Sequence, residues 1–199
     1  MTMQILGWTY DHPDDEHWAG WCPGEDTTAA SSQLVAQTTE ARALLSRSVR
    51  AVDDHARRKG GSVGTTAVWV PDLSTGEVMG VLMAMRMGLA RSFAPNPEGF
   101  VARNWRKDYG GWRLKITERS AEIIHCPAGP TVIETIICRI RGERTIQAYS
   151  SYFVFPADGT PETVQLSFNT IHLDLLVELT VLGRTIADSL QITTGPATS

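Results

Sequence analysis

Residues 131–168, TVIETIICRIRGERTIQAYSSYFVFPADGTPETVQLSF, decide the fold. Three runs in this stretch alternate apolar with polar residues, the period of a β-strand that buries one face. The runs are TVIETIICRI (131–140), TIQAYSSYFVF (145–155) and TVQLSF (163–168). RGER and a Pro- and Gly-containing segment connect them, and such residues favour turns. Successive strands on short connections predict an antiparallel sheet.

Further strands precede this stretch. WRLKITERSAEIIHC (112–126) has the same period and joins the next run through PAGP. TTAVWVPDLSTGEVMGVLMAMRMG (65–88) predicts a hairpin around a turn of Pro, Asp, Ser and Gly. Its second strand is predicted to place Met79, Val81, Met83, Met85 and Met87 on one face. In TVQLSF, Val164, Leu166 and Phe168 are predicted to face inward, and Thr163, Gln165 and Ser167 outward.

Helices flank the strands. Residues 31–61 predict one helix, because apolar residues recur at helical spacing and Gly60 and Gly61 can end it. NPEGFVARNW (96–105) predicts a short helix. Residues 172–190 predict a last helix with an apolar stripe, formed by Leu175, Leu179, Leu182, Ile186 and Leu190. We therefore expect an α+β fold, a mainly antiparallel sheet covered by amphipathic helices.

The chain divides unevenly by composition. Residues 1–30 hold three tryptophans among acidic residues and prolines, so we expect a loop-rich acidic N-terminal arm, in which MQILGW (3–8) could form one short strand. Residues 31–192 are expected to form a single α+β domain. Residues 193–199 are expected to be a polar, frayed tail.

Composition narrows the class of protein. Hydrophobic residues make up 42% and charged residues 20%, as in globular domains. Eighteen basic residues against 22 acidic ones give a net charge of -4, which disfavours nucleic acid and anionic lipid as partners. Three cysteines without CxxC spacing indicate a reducing compartment, and no signal-like or membrane-spanning run is present in the sequence. We expect a cytoplasmic protein that binds neither membrane nor nucleic acid.

Residues 122–192 resemble actinobacterial proteins of the PsbP-like α/β/α sandwich, including the LpqN-type lipoproteins. The resemblance lies in the PAGP turn (127–130), in VFPADG (154–159) at the end of a long strand, and in LSFNT (166–170) before the last helix. It implies a binding or assembly role with other proteins, and it implies no catalytic residues.

Candidate chemistry is sparse. His12, His17 and Cys22 could bind zinc, but their spacing matches no established zinc motif, so we predict no metal site and no cofactor. His125 and Cys126 are strand neighbours that point to opposite faces, so they cannot act together as base and nucleophile. Glu134 is interpreted as an edge-strand charge that blocks sheet pairing, with a buried carboxylate of raised pKa as the alternative. No motif of hydrolases or nucleotide-binding proteins is present.

The most suggestive surface combines aromatic and basic residues. FVARNWRKDYGGWRLK (100–115) interleaves Trp105, Tyr109 and Trp112 with arginines and lysines, a pattern that can also bind single-stranded nucleic acid. Together with Trp18 and Trp21, these aromatic residues form the predicted interaction surface, and the methionines of 79–87 could extend it.

The leading hypothesis is a non-enzymatic interaction or assembly protein that binds a protein partner, or itself as a homodimer. The alternative is a small-molecule carrier or an enzyme with a pocket between sheet and helix around residues 100–112. An exposed convex patch would favour a partner, and a concave pocket with convergent polar groups would favour a ligand.

Overall fold

A computed structural model describes residues 3–12, 15–60, 62–88, 96–104, 114–142 and 144–197. Nine strands and four α-helices lie in these ranges. The strands are β1 (Met3–Thr9), β2 (Trp18–Trp21), β3 (Val63–Trp69), β4 (Gly80–Gly88), β5 (Leu114–Cys126), β6 (Gly129–Ile140), β7 (Ile146–Val154), β8 (Glu162–Thr170) and β9 (Gln191–Pro196). The helices are α1 (Thr27–Gln33), α2 (Thr39–Arg58), α3 (Pro97–Asn104) and α4 (Leu176–Ser189).

Seven strands form one antiparallel sheet in the order β2-β3-β4-β8-β7-β6-β5. The predicted strands of residues 112–168 therefore lie side by side, as β5, β6, β7 and β8. β8 also pairs with β4, so it joins this group to the hairpin of β3 and β4. β1 and β9 pair separately as an antiparallel ribbon. The α+β fold class with a mainly antiparallel sheet is confirmed.

One face of the sheet is covered by α4. Its apolar side contains Leu179 and Ile186, which pack on a continuous buried cluster that includes Tyr152, Leu166 and Phe168. The approach is close, since a Cβ added at Gly183 would lie 2.7 Å from the Tyr152 ring. β8 contributes to this apolar cluster through the alternation of its side chains, because every second residue from Val164 points to the α4 side.

The opposite face is covered in two places. α1 and α2 bury the β2–β3 end of the sheet, where Leu45 and Val49 of α2 pack with Val68 of β3. α3 covers the other end, where the Phe100 ring contacts the Phe153 ring at a tilt of 45°, with the ring centroids 4.6 Å apart. The middle of this face lies between the two helical covers.

The predicted single helix over 31–61 is two helices. α1 starts at Asp26, whose side chain accepts the backbone N–H of Thr28. α2 starts at Thr38, whose hydroxyl accepts the N–H of Ala41. Capping of this kind satisfies the free N–H groups at the start of a helix. Thr38 therefore caps a second helix, whereas the apolar spacing alone had predicted one uninterrupted helix. The predicted end is correct, since Gly60 follows α2 with φ 78°.

The N-terminal segment and the tail also differ from prediction. The short strand indicated at MQILGW (3–8) is β1, but the expected loop-rich arm over 1–30 also contains β2 and α1, and β2 is part of the main sheet. The expected frayed tail over 193–199 is paired through Pro196, because β9 aligns with β1. No helix within the described ranges has both the length and the hydropathy required to cross a bilayer.

Candidate functional site

A cleft opens on the sheet face between α2 and the central strands. Its volume is about 530 Å³. We call it the α2 cleft. It is lined by Ala51, Val52, His55 and Lys59 of α2, Val81, Met83 and Met85 of β4, Ile140 of β6, Gln147 and Tyr149 of β7, and Ser167 and Asn169 of β8.

The floor of the α2 cleft is polar because of strand alternation. The side of β8 opposite Phe168 carries Gln165, Ser167 and Asn169, and these side chains are half-buried. Register pairs Asn169 with Tyr149, and Ser167 with Ser151 of the neighbouring strand. The predicted outward orientation of Gln165 and Ser167 is therefore only partly right, since the side chains leave the α4 core but enter a second covered face.

Hydrogen bonds order part of this floor. The Tyr149 hydroxyl donates to Gln147 Oε1 at 2.6 Å. Ser167 Oγ lies 3.2 Å from the Oγ of Ser151, which is beside the cleft and accepts from Gln165 Nε2 at 3.4 Å. These bonds offset the cost of placing polar groups on a covered sheet face.

The walls are apolar and the mouth is cationic. Met83 is buried and Met85 is half-buried on the cleft side of β4. Lys59 and His55 lie on the α2 wall. Partial burial and the charges of Lys59 and Arg58 lower the pKa of His55, so the neutral imidazole is favoured.

A buried ion pair lies further along the same face. Arg119 of the edge strand β5 donates from Nε to Glu134 Oε1 at 3.0 Å, and its Nη2 lies 2.5 Å from the same oxygen. Glu134 is buried on β6, one strand in from the edge. The interpretation of Glu134 as an edge-strand charge is wrong, because β5 forms the edge and supplies its partner.

The second candidate surface lies on the outer side of α4. Leu173, in a short 3-10 turn before the helix, precedes Val177 and Val181 at four-residue spacing. Val177 is 77% exposed and Val181 61% exposed. We call these three residues the α4 stripe. Val177 and Val181 lie on one side of α4 because helical residues four apart are neighbours, and exposed Leu173 precedes them in the chain.

Acidic side chains border the α4 stripe. Asp174 is exposed in the 3-10 turn before the helix, and Glu178 is exposed in the first turn of α4. Arg184, the one arginine of α4, donates to Asp188 Oδ2 at 2.9 Å and to the His125 carbonyl at 3.1 Å. The rim of the stripe is therefore acidic where the apolar residues are most exposed.

The predicted interaction tryptophans are only partly placed. Trp18 is 3% exposed and Trp21 6% exposed, so neither side chain contributes to the surface. Trp18 stacks with Trp69, and Trp21 Nε1 donates to Asp53 Oδ1 at 3.0 Å. Their burial follows from β2 joining the main sheet. Trp105, Tyr109 and Trp112 lie outside the described residues.

The methionine stripe is confirmed for β4 with one exception. Met83, Met85 and Met87 share the α2 side of the strand, with cross-strand partners on β8. Met79 precedes β4 and packs with the cluster on the α4 side. The predicted five-residue alternation fails there because the strand begins at Gly80.

The candidate metal and thiol residues do not form a reactive centre. Among the described residues, no group of three or more His, Cys, Asp and Glu side chains could hold a metal ion. His12 stacks on Trp18 with ring centroids 5.0 Å apart. Burial raises the pKa of Cys126 and Cys138, which disfavours a nucleophilic thiolate.

Comparisons with known proteins complete the description. No protein-family model matches the sequence, and no curated protein matches it. The structure is similar to the solution structure of cyanobacterial PsbP (CyanoP) from Synechocystis sp. PCC 6803. The match covers 96% of this chain and 93% of that one, with 11% sequence identity and a TM-score of 0.47. This likeness assigns no function to the α2 cleft or the α4 stripe.

The sequence missed the α4 stripe and identified the α2 cleft only in part. Four-residue spacing of Leu173, Val177 and Val181 was a usable signal for the stripe, because it gives the last helix a second apolar side. In the cleft, Met83 and Met85 belong to the methionine run that the sequence marked as a possible surface. Its polar floor had no comparable signal, since polar alternation on β8 is also typical of a solvent-exposed face.

Proposed function

We propose that the chain is a non-enzymatic, cytoplasmic interaction protein that binds a protein partner through the α4 stripe. The observation that carries the proposal is the exposure of Val177 and Val181 on a helix whose opposite side is fully buried. Adjoining apolar side chains on a convex surface are typical of protein-binding sites.

The acidic rim indicates the chemistry of the partner. A second copy docked on the same stripe about a two-fold axis near Val177 would add its own Asp174 and Glu178 carboxylates to the same rim. Like charges at a rim disfavour association, whereas a basic rim on the partner would favour it and speed encounter. The proposed partner therefore has an apolar contact surface bordered by Lys or Arg.

Two elements of the sequence-based hypothesis remain proposals. Trp105, Tyr109 and Trp112 are proposed to extend the interaction surface. We also propose kinship with the LpqN-type families of actinobacteria, supported by the PAGP, VFPADG and LSFNT segments.

Site-specific photo-crosslinking in the native host tests the partner proposal. A photoreactive phenylalanine analogue is placed at Val177 and, as matched control, at Val35, an isolated valine that is 76% exposed. We expect a discrete adduct with another protein from position 177 and none from position 35. Adding Val181→Asp should remove the adduct, because a charge in the centre of an apolar contact is costly to desolvate.

The outcomes separate the possibilities. An adduct of twice the chain mass would show that the stripe binds a second copy of this chain and would contradict the proposed basic partner. Equal yields from positions 177 and 35, or no adduct at 177, would contradict binding at the α4 stripe.

A further inference from the structure

The α2 cleft is independent of the α4 stripe, since it lies on the opposite face of the sheet. Its volume of about 530 Å³ falls within the range of small-molecule sites. A sheet face covered by a helix normally carries apolar side chains. Polar side chains at the base of an open cleft on such a face are unusual, and ligand binding would account for them.

The floor offers unused hydrogen-bonding groups. Asn169 is half-buried, and its side-chain amide makes no hydrogen bond within the described part of the chain. The Gln147 carbonyl accepts from Tyr149, while its Nε2 donors have no partner in the same ranges. Amide groups held at the base of a cleft can donate to and accept from a ligand.

The walls favour an apolar, preferably aromatic, body. Met83 and Met85 of β4 and Ala51 and Val52 of α2 line the opening, and Met85 and Val52 pack against the buried cluster that contains Met83. Methionine thioethers adapt to irregular shapes and make favourable contacts with ring edges. The Tyr149 ring adds an aromatic surface to the floor.

The mouth favours a negative charge. Lys59 and His55 line it, and none of the lining residues described is acidic. Partial burial and then the charges of Lys59 and Arg58 lower the pKa of His55, so Lys59 is the cation among the lining residues described. An anion here would pair with the Lys59 ammonium group.

We propose that the α2 cleft binds a small amphipathic carboxylate, with an aromatic body against Met83 and Met85 and the carboxylate at Lys59. Polar substituents of the ligand meet Asn169 and Gln147 at the floor. The cleft is a binding site, and the inference includes no chemical step.

The probes are diphenylacetate and its uncharged analogue diphenylacetamide, titrated into the full chain. Isotope-labelled methionine methyl groups report the position of binding by NMR. We expect shifts at Met83 and Met85 and none at Met79, which lies on the α4 side. The amide should bind about ten-fold more weakly, since it lacks the charge that Lys59 meets.

Two pairs of variants on α2 test the location without entering the sheet. Ala51→Trp places a large side chain over the cleft, whereas Ala43→Trp puts the same side chain on an exposed position of the same helix. We expect loss of diphenylacetate binding in the first variant only. Lys59→Met should weaken binding about ten-fold, and Arg50→Met, an equal charge change away from the cleft, should not.

Several results would overturn the proposal. These are no methyl shift at millimolar diphenylacetate, shifts at Met79 as large as those at Met83, or equal affinities of the Ala51→Trp and Ala43→Trp proteins. Equal affinity for the acid and the amide would overturn the assignment of the ligand as a carboxylate.

Discussion

The two faces of the seven-stranded sheet are built differently. Toward α4, successive strands contribute a continuous apolar layer that contains Leu82, Leu166 and Phe168. Toward α2, the apolar residues gather at the two ends of the sheet, and polar side chains such as Ser167 and Asn169 lie between them. The same strand, β8, supplies the apolar layer on one side and the polar floor on the other.

This difference separates stability from binding. Burying a continuous apolar layer is the dominant favourable contribution to folding, so the α4 face should hold the fold together. A face with polar side chains at its centre buries less apolar surface and so contributes less to the stability of the fold, but it contains an accessible cleft. Functional surfaces are commonly found where the local rules for a stable core are relaxed.

Neighbouring residues on β8 provide the strongest test of this separation. Phe168 is fully buried on the α4 face and lies edge-on to Tyr152, with ring centroids 5.8 Å apart. Phe168→Ala should lower the free energy of unfolding by about 3 to 5 kcal/mol, through lost burial and the cavity left behind. Ser167→Ala, one residue away on the other face, should cost less than about 1.5 kcal/mol. Urea denaturation of both variants measures the difference, and similar losses would contradict the division between the faces.

Much of the fold could be predicted because its signals are local. Alternation in residues 131–168 is carried by adjacent residues, and short connections force neighbouring strands to pair. Of the N-terminal strands, β1 was indicated only as a short run and β2 gave no such signal. β1 pairs with β9 at the far end of the chain, and Trp18 is buried only because β2 aligns with β3. Such long-range pairing leaves no period in the sequence of either segment.

The candidate surfaces depend on tertiary arrangement. Val177 and Val181 are apolar like the buried Leu179, and only the position of α4 on the sheet decides which side stays exposed. In the same way, Ser167 belongs to a cleft because α2 stands over part of its face. Residue type and spacing predict an amphipathic element, but they do not show what lies opposite each side.

The second prediction concerns the buried ion pair of Arg119 and Glu134 on the α2 face. Arg119→Met would leave the Glu134 carboxylate without its guanidinium partner, so we expect a loss of about 3 kcal/mol in the free energy of unfolding. Replacing both residues, as Arg119→Met with Glu134→Leu, should recover most of that loss, because apolar side chains can replace a buried pair at little cost. A double-mutant cycle by urea denaturation gives the coupling. A loss below about 0.5 kcal/mol for Arg119→Met would mean that the pair behaves as a solvated surface contact.

The smallest expected effect at neutral pH concerns Tyr152, whose phenol is enclosed by the apolar α4 face. Burial raises the pKa of Tyr152 to about 12, and its hydroxyl donates to the Thr180 carbonyl at 2.6 Å. Tyr152→Phe should therefore cost about 1 kcal/mol near neutral pH, through the lost hydrogen bond.

At alkaline pH the same substitution should become favourable. In the unfolded chain the phenol ionises near pH 10, whereas in the folded protein it stays neutral until about pH 12. The contribution to stability is thus fully present below pH 10 and decreases as the pH rises through this window, by up to about 2 to 3 kcal/mol. Denaturation curves of the wild type and of Tyr152→Phe across this range measure the change, and Tyr10, whose pKa burial also raises, is common to both. If the difference between the two proteins stayed constant with pH, Tyr152 would be solvated, and the α4 face would not be the continuous apolar layer described above.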